Sequence, residues 1–392
     1  MKTIRLIMVT ENNNNKFYNM TQLNSNEFVV EYGRVNSSIQ KKTYPMTKWN
    51  SLYNQKIKKG YKDITALHKE GSTKSIIEKS KSPFFDIINR IHQFANQAVN
   101  DNYQTIDVTQ KMIDVAQQKI NELVTLNKQK NADAFNQKLL EIFAVIPRKM
   151  KRVNDHLYET GKNTMQNIIM HEQDILDALA AKVATQLPEN ATSFDDFMKN
   201  IGITMKEKDS KLEATVKDML GEIKDKYVNC WYVNNEQTQN VYNDNLNNQI
   251  GVHKTEQFFW HGSRNENWLG ILKSGLKIRP SCAVYTGSMF GDALYFANKA
   301  RKSFGYTSAR GSYWASGSSN TAIMAIFKVN TGKHHNVYKH TSECYDFNKK
   351  YLKSKGNYDS VYAHAGQSLK NDEFMVYDSC QATIYAIVEL KA

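Results

Sequence analysis

The spacing of apolar residues changes twice along this chain of 392 residues, and these changes limit the folds that it can adopt. Apolar and polar residues alternate from 1 to about 75, as they do in half-buried strands. From about 76 to 200 the apolar residues recur every three or four positions, which is typical of amphipathic helices. Short apolar runs of strand length follow. The sequence therefore predicts an α+β multidomain protein with domains at 1–75, 76–200 and 201–392.

The first region is predicted to be a small antiparallel sheet followed by one helix. Strands are expected around the alternating residues Ile4, Leu6 and Met8, and at 16–23 and 28–32. Residues 47–57 have the spacing of an amphipathic helix, with Trp49, Leu52 and Tyr53 on one face.

The middle region is predicted to be an all-helical bundle. Its apolar stripes include Met112, Ile113, Ala116, Ile120, Leu123 and Val124, and helices are expected to end at Pro147 and near Pro188.

Positive charge is concentrated in the first region. Lysine and arginine exceed aspartate and glutamate by 13 over the whole chain and by 8 within residues 1–80. A localised excess of this kind predicts a surface that binds a polyanion. The alternative is a lysine-rich surface that is simply solvated.

Apolar runs and cysteine spacing also bear on the cellular location of the protein and on whether it binds a metal. No apolar run approaches the ~18 residues of a membrane helix, and the N-terminus lacks a secretory signal. We therefore expect an intracellular protein with no membrane partner. The cysteines lie far apart and lack the paired spacing of a zinc site or a disulfide framework, so reduced thiols and no metal are expected. They are Cys230, Cys282, Cys344 and Cys380.

The last region is predicted to be mixed and mainly antiparallel, and it contains four short motifs in a fixed order. A helix is expected at 266–274, ended by Gly275 as a left-handed cap. Strands are expected at 257–261, 294–297, 321–329, 373–377 and 383–390. The motifs are Trp-His-Gly-Ser-Arg at 260–264, Gly-Ser-Met-Phe-Gly at 287–291, Leu-Tyr-Phe-Ala at 294–297 and Asp-Glu-Phe-Met-Val-Tyr-Asp at 372–378.

These motifs resemble the catalytic domain of poly(ADP-ribose) polymerases, in which a His, a Tyr and a Glu form the catalytic triad. The resemblance implies the ADP-ribosyltransferase fold, NAD as a co-substrate, and a triad of His261, Tyr295 and Glu373. Glu373 would accept the nicotinamide-ribose 2′-hydroxyl and stabilise the cationic transition state.

The same resemblance assigns the residues that hold NAD. Gly262 and Ser303 would contact the nicotinamide amide, and Tyr295 and Tyr306 would enclose its ring. The adenosine ribose would be bound by His261 and Ser263, and Lys277 is the nearest basic candidate for the adenine or pyrophosphate end. The loop at 279–286 is short, which predicts a small lid. Asn371 stands where chain-elongating enzymes often have Tyr.

The first region is similar to the WGR domain of this family, with Tyr in the Trp position. The resemblance implies contacts to DNA ends by Tyr32 and Arg34, supported by Lys41 and Lys42. The alternative is that Tyr32 is a core aromatic residue and Arg34 an ion-pair partner. Asn36 replaces a Gly that is usual after the motif.

The helical region, with Phe-Ala-Val-Ile-Pro at 143–147, is similar to the regulatory domain that packs over the NAD site in DNA-dependent polymerases. Autoinhibition is one interpretation of it and a structural spacer is the other. The resemblance as a whole implies a DNA-break-stimulated protein ADP-ribosyltransferase of the DNA damage response that makes poly- or oligo(ADP-ribose).

The expected partners are DNA ends or nicks and acceptor proteins, including the chain itself, which is expected to be a monomer. It would work in the nucleus if eukaryotic and otherwise in the cytoplasm. The open alternatives are a mono-ADP-ribosyltransferase and a catalytically weak DNA-end sensor.

Overall fold

The computed structural model describes residues 1–68, 80–102, 108–184, 193–248, 255–278, 289–309 and 319–392. The chain divides into two compact units, each assembled from two segments. The first unit comprises Met1–Ser72 and Asn96–Val183, and the second comprises Thr73–Ala95 and Ala184–Ala392. The division into three domains at 75 and 200 stays a prediction. Among the described residues, no helix is long and apolar enough to cross a bilayer.

The first unit begins with a five-stranded antiparallel sheet and one helix, as the alternating apolar residues predict. The strands are β1 (Thr3–Thr10), β2 (Asn14–Gln22), β3 (Glu27–Arg34), β4 (Gln40–Pro45) and β5 (Lys62–Asp63), in the order β4-β3-β2-β1-β5. Helix α1 (Trp49–Lys58) packs on this sheet through Trp49, whose ring lies edge-on to Phe28 at 4.9 Å. Burying such aromatic rings supplies much of the stability of a module this small.

Helices complete the first unit. They are α2 (Phe85–Asn102), which contributes to both units, α3 (Gln110–Lys128), α4 (Ala132–Val145) and α5 (Met165–Ala184). The predicted apolar stripe at 112–124 is buried along α3, and the Thr109 side chain caps that helix by accepting from the Met112 N–H at 3.3 Å. Helix α4 ends before Pro147, as predicted. The predicted end near Pro188 lies outside the described residues.

The second unit contains two sheets with helices around them. Its elements are α6 (Phe194–Ile201), β6 (Ile203–Glu207), α7 (Ser210–Leu220), β7 (Tyr227–Asn235), α8 (Glu236–Asn248), β8 (Glu256–Gly262), α9 (Trp268–Ser274), β9 (Leu294–Phe296), α10 (Ala300–Phe304), β10 (Thr321–Asn330), β11 (His334–Val337), α11 (Lys349–Gly356), β12 (Ser360–Ala363), β13 (Glu373–Val376) and β14 (Ala382–Lys391). One sheet has the order β6-β7-β14-β10-β8, and the other has the order β11-β12-β13-β9. Only β11 and β12 pair in parallel among these strands, so the predicted mixed, mainly antiparallel fold is confirmed.

In the part of the second unit that the structure describes, one isolated antiparallel bridge joins the two sheets. The Trp260 N–H donates to the Ala297 carbonyl at 2.9 Å, and the Ala297 N–H donates back at 3.0 Å. The Trp260 indole is fully buried and donates to the Met219 carbonyl at 3.0 Å, which fixes the end of β8. The bridge therefore brings the end of β8 beside the residue that follows β9.

The helix observed in this region differs in two details from the one predicted at 266–274. Helix α9 begins at Trp268, after a single 3-10 turn at Asn265–Asn267. Gly275 has φ +71° but ψ −177°, so it is not the left-handed helical cap that the sequence predicted. This conformation still favours glycine, because a positive φ with extended ψ is costly for residues with a Cβ.

Candidate active site

Three adjoining strands carry the residues predicted to form the triad. His261 lies on β8, Tyr295 on β9, and Glu373 is the first residue of β13. The His261 Nδ1 atom is 3.1 Å from the Tyr295 carbonyl oxygen. In the antiparallel pair of β9 and β13, Tyr295 is opposite Met375 and Phe296 is opposite Phe374, so Glu373 lies beside the end of β9. The structure thus brings together residues that are far apart in sequence.

His261 has a fixed orientation in an aromatic surrounding. The rings of Trp268, Phe296 and Phe327 lie edge-on to the imidazole at 5.9–6.5 Å. Burial lowers the pKa of His261, although the hydrogen bond to the Tyr295 carbonyl partly opposes that effect. A neutral imidazole that donates through Nδ1 to this carbonyl keeps Nε2 as an acceptor. Nε2 can therefore accept a hydrogen bond from a ribose hydroxyl.

Gly262 and Ser303 approach each other more closely than side chains permit. A Cβ on Gly262 would lie 1.9 Å from the Ser303 carbonyl oxygen and 2.6 Å from its carbonyl carbon. Only glycine allows α10 to pack this close to the end of β8. Ser303 is buried, with 4% exposure. The two residues predicted to bind the nicotinamide amide are thus adjacent.

The Tyr295 hydroxyl holds the segment that precedes β9. It donates to the Gly291 carbonyl at 2.8 Å and accepts from the Phe290 N–H at 3.0 Å. The Tyr377 hydroxyl donates to the Phe290 carbonyl at 2.6 Å. Gly291 has φ +76°, and a Cβ there would lie 2.0 Å from the Phe347 carbonyl oxygen. The end of the predicted Gly-Ser-Met-Phe-Gly motif is thus fixed from several sides.

Tyr306 is half exposed, which leaves much of its ring available for stacking. Burial is the main reason that the pKa of Tyr295 is raised, and the nearby Tyr306 phenol adds to that shift. The Tyr306 N–H donates to the Ser303 carbonyl at 3.1 Å, so Tyr306 lies beside one of the residues predicted to bind the nicotinamide amide.

Lys302 pairs with Glu373, and sequence reasoning missed it. The Lys302 ammonium forms an ion pair with the Glu373 carboxylate, and their side chains are 16% and 10% exposed. Burial lowers the pKa of Lys302 to about 8, and the charge of Asp372 partly offsets this. Lys302 directly precedes Ser303, but it is one of several basic residues at 299–302. The pair holds the predicted catalytic carboxylate in place.

Asp372 is a second residue that the sequence did not single out. Its carboxylate accepts from the Ala365 N–H at 2.7 Å, from the Tyr362 hydroxyl at 2.8 Å and from the Asn298 amide at 3.3 Å. Burial alone would raise the pKa of Asp372, but these hydrogen bonds lower it overall. Asp372 directly precedes Glu373, so these hydrogen bonds connect the start of β13 to the ends of β9 and β12.

The structure gives fewer contacts for the remaining residues that are predicted to bind NAD. The Ser263 hydroxyl accepts from the Asn267 amide at 3.2 Å, immediately after His261 and Gly262. Lys277 is exposed and close to the end of a described segment. The predicted lid at 279–286, together with Gly287 and Ser288 of the second motif, lies outside the described residues. The roles of Ser263 and Lys277 stay predictions.

The predicted DNA-contacting residues of the first unit have partners within the chain. The Arg34 guanidinium donates to the backbone and side-chain oxygens of Asn13 at 2.9 and 3.0 Å. It also donates to the carbonyls of Met150 and Lys151 at 3.0 and 3.2 Å. Asn36, which replaces a common Gly, has φ +55°, a conformation that Asn tolerates well.

The other three of these side chains remain at the surface of the sheet. Tyr32 is partly buried beside Tyr18, with ring centroids 6.0 Å apart. Lys41 pairs with Glu31 at 2.6 Å, and the Lys42 ammonium lies 5.2 Å from the centre of the Tyr44 ring. DNA contact by these residues stays a prediction.

Comparisons with known proteins found one matching family model and several relatives. The family model described as the poly(ADP-ribose) polymerase catalytic domain matches residues 204–392. "Uncharacterized protein 101L" of Invertebrate iridescent virus 6 is 32% identical over 190 residues, which cover 47% of this chain and 80% of that protein. "Putative poly [ADP-ribose] polymerase-like 100L" of the same virus is 32% identical over 143 residues, which cover 36% of this chain and 73% of that protein.

A cellular relative matches over a shorter segment. "Poly [ADP-ribose] polymerase 2" of Homo sapiens is 43% identical over 74 residues, which cover 19% of this chain and 12% of that protein. The match to the family model covers the strands that carry His261, Tyr295 and Glu373. The chain belongs to the poly(ADP-ribose) polymerase family.

Proposed function

We propose that this chain is an NAD-dependent protein ADP-ribosyltransferase that makes poly- or oligo(ADP-ribose) and is stimulated by DNA breaks. The observation that carries the proposal is the position of Glu373, whose carboxylate is paired with Lys302 beside the strands of His261 and Tyr295. The reaction breaks the bond between nicotinamide and ribose, releases nicotinamide, and transfers ADP-ribose to an acceptor on a protein, including the chain itself.

Different site residues bind different parts of NAD. His261, through the acceptor Nε2, and Ser263 orient the adenosine ribose. The backbone of Gly262 and the hydroxyl of Ser303 bind the nicotinamide amide, which fixes the leaving group. Tyr295, whose hydroxyl is held by Phe290 and Gly291, presents its ring to the nicotinamide. Binding of this kind lowers the barrier by orienting the bond that breaks.

Glu373 acts on the reacting ribose. As the bond to nicotinamide lengthens, the ribose develops positive charge, and a fixed carboxylate stabilises that charge more in the transition state than in the ground state. The same carboxylate accepts a hydrogen bond from the ribose 2′-hydroxyl and polarises an acceptor hydroxyl. Because Lys302 is paired with Glu373, the carboxylate is held in one orientation before NAD arrives.

Automodification with labelled NAD tests the transferase activity. We expect label to enter the protein, and Glu373→Gln to reduce the rate by about a hundred-fold to a thousand-fold, because the shape is kept and the charge is lost. Glu343→Gln is the matched control, because Glu343 pairs with Lys355 at an exposed site. A ladder of products on a gel supports polymer formation and a single band supports mono-ADP-ribosylation. No incorporation of label, even with nicked DNA present, would favour the DNA-end sensor.

A cluster of cations and rings on the first unit supports the DNA-dependent part of the proposal. The Lys56 ammonium lies 4.0 Å from the centre of the Tyr18 ring and 5.3 Å from that of Tyr61. Burial lowers the pKa of Lys56, and the neighbouring charges of Lys59 and Lys16 lower it further. Cations crowded around aromatic rings suit a polyanion that carries bases or sugars.

DNA binding can be tested without touching the catalytic residues. We expect Lys56→Ala combined with Lys59→Ala to weaken binding of a nicked duplex and to lower its stimulation of automodification. The dependence of affinity on salt should also become less steep, by about 0.9 in the logarithmic slope for each phosphate that the variant no longer neutralises. Lys162→Ala is the control, because Lys162 pairs with Glu159 at the surface. Unchanged affinity and stimulation in the double variant would contradict this part of the proposal.

A further inference from the structure

Five rings form a continuous stack that runs from the interior of the second unit to its surface. Phe259 lies 4.2 Å from Phe374, Phe374 lies 4.3 Å from Tyr362, and Tyr362 lies 3.8 Å from His364, all measured between ring centroids. His364 and Tyr338 are 4.3 Å apart and within 12° of parallel. The stack therefore ends at Tyr338.

The last ring of the stack is open to solvent. Tyr338 is 67% exposed, although His364 covers one face of its ring. The exposed area must therefore belong largely to the other face and the edges. A large aromatic ring presented in this way at a surface is a platform for another flat group.

Hydrogen bonds hold the supporting rings in position. The His364 Nε2 atom is 2.9 Å from the Asn336 amide oxygen, and the Tyr362 hydroxyl donates to Asp372 at 2.8 Å. The His364 N–H donates to the Val337 carbonyl at 2.8 Å, which joins the two segments that end in the stack. A platform that is already ordered loses little conformational entropy when it binds a ligand.

The two segments that form the platform are basic. Residues 333–340 contain two lysines and residues 364–371 contain one, and neither range contains an acid, although the Asp372 carboxylate accepts from the Ala365 N–H. Lys339 and Lys370 are both exposed. The His340 N–H donates to the Ser368 hydroxyl at 3.0 Å, so the two basic segments lie side by side. Their charge is complementary to phosphate groups.

The platform is separate from the predicted NAD cleft. Successive residues of a strand point to opposite faces of its sheet, so Phe374 of the stack and the Glu373 carboxylate lie on opposite faces of β13. Both nevertheless lie at the same end of the sheet, because Tyr338 follows β11, His364 follows β12 and Glu373 begins β13. A ligand on the platform therefore does not need the residues that bind NAD.

We propose that Tyr338, with Lys339 and Lys370, binds a base and the adjoining phosphates of a single-stranded nucleotide chain. The base stacks on the outer face of Tyr338, and the two ammonium groups pair with the phosphates. This chemistry is shared by single-stranded nucleic acid and by an ADP-ribose chain. The site would retain such a chain near the end of the sheet where Glu373 lies.

The test measures binding of two fluorescent probes, a short oligo(dA) and a short oligo(ADP-ribose), by anisotropy. The full chain carries Glu373→Gln and NAD is in excess, so that the cleft is filled while turnover is slow. Tyr338→Ala should weaken binding of at least one probe by about 5-fold to 100-fold, since stacking contributes ~1–3 kcal/mol for each base. The probe that loses affinity identifies the chain that the site takes.

Matched variants separate stacking from unrelated effects. Tyr338→Phe keeps the ring and should bind as the parent does. Phe258→Ala removes an exposed ring of the other sheet, 41% exposed, and should change nothing. Lys339→Ala with Lys370→Ala should lower the logarithmic salt slope by about 0.7 for each phosphate that is left without its ammonium partner.

Crosslinking locates the site independently of affinity. An 8-azidoadenosine probe should label a peptide that contains Tyr338 or His364, and Tyr338→Ala should abolish this labelling. Labelling confined to other peptides, or unchanged affinity of both probes in Tyr338→Ala, would overturn the proposal.

Discussion

The Lys302 ammonium is paired with the Glu373 carboxylate, and both side chains are largely buried at the junction of β9, β13 and α10. In such a pair the hydrogen bond donated by the charged ammonium orients the carboxylate. The charge of Lys302 therefore influences how Glu373 is held. Lys302 is a positioning residue for the proposed reaction.

The protonation of Lys302 predicts a loss of activity at high pH. Burial lowers its pKa to about 8, so the ammonium loses its proton as the pH rises through that value and no longer pairs with Glu373. We expect the turnover rate to fall across this range in the parent protein. Lys302→Arg should remove the transition, since a guanidinium stays protonated. Initial rates at saturating NAD over a series of pH values provide the measurement, and identical profiles would contradict the assignment.

Stability distinguishes this effect from unfolding at high pH. The folded pKa of Lys302 is about 8 and the ordinary value is 10.5, so between these values the unfolded chain binds more protons than the folded chain. The free energy of unfolding contributed by this group therefore rises with pH in that window. Activity should fall while this contribution to stability rises.

Gly262 and Gly270 offer a matched pair of glycine substitutions. A Cβ at Gly262 would lie 1.9 Å from the Ser303 carbonyl oxygen, whereas a Cβ at Gly270 would meet nothing within 4 Å. We expect Gly262→Ala to displace α10 and to weaken NAD binding strongly. Gly270→Ala, within helix α9, should leave NAD binding unchanged and raise stability by about 0.5–1 kcal/mol.

Calorimetric titration with NAD, together with thermal unfolding, measures both effects. Equal NAD affinities in the two alanine variants would show that the close approach of Gly262 to Ser303 is not required.

The sequence indicated which residues of the predicted triad come together because short motifs contain them. His261, Tyr295 and Glu373 each lie in a run of recognisable residues, and the structure places them on adjoining strands. Lys302 was missed because it is one of several basic residues at 299–302, and nothing in that run indicates which one faces a carboxylate. The pairing depends on β13 returning beside β9, which residue spacing alone does not specify.

Some strands were not predicted because their apolar pattern is weak. Strand β4 is exposed along nearly its whole length and contains two lysines, so it lacks the alternation of a half-buried strand. Strand β11 is four residues long and begins with two histidines. Both lie at a sheet edge, where polar residues are tolerated and local sequence carries little information on pairing.

Two tyrosine hydroxyls hold the segment before β9, and they differ in the number of groups they satisfy. The Tyr295 hydroxyl bonds to both the Phe290 N–H and the Gly291 carbonyl, whereas that of Tyr377 bonds to the Phe290 carbonyl. Tyr295→Phe should lower the free energy of unfolding of the second unit by about 1–3 kcal/mol, because two backbone groups lose their partner. Tyr377→Phe should lower the free energy of unfolding by a smaller amount. Denaturant unfolding measures both, and a larger cost for Tyr377→Phe would contradict this reasoning.

The first unit contains a buried ion pair, and we expect replacement of one partner to destabilise the protein more than replacement of both. The Arg148 guanidinium binds both Glu172 oxygens, at 2.9 and 2.5 Å, and the two side chains are 5% and 2% exposed. Glu172→Leu should lower the free energy of unfolding by about 3–5 kcal/mol, because it leaves a buried guanidinium without its carboxylate. Replacing both partners, Arg148→Met with Glu172→Leu, should cost less than the single change, since no unpaired charge remains.

The exposed pair of Lys162 and Glu159 is the control for this cycle. Its atoms are 3.2 Å apart, but the side chains are 54% and 63% exposed, so water and salt screen their attraction. Glu159→Leu should therefore change the free energy of unfolding by no more than about 1 kcal/mol. Denaturant unfolding of the parent and these three variants measures the differences. If the double replacement at 148 and 172 proved as costly as Glu172→Leu alone, packing around Arg148, including its approach to the Phe143 ring at 4.6 Å, would outweigh its charge.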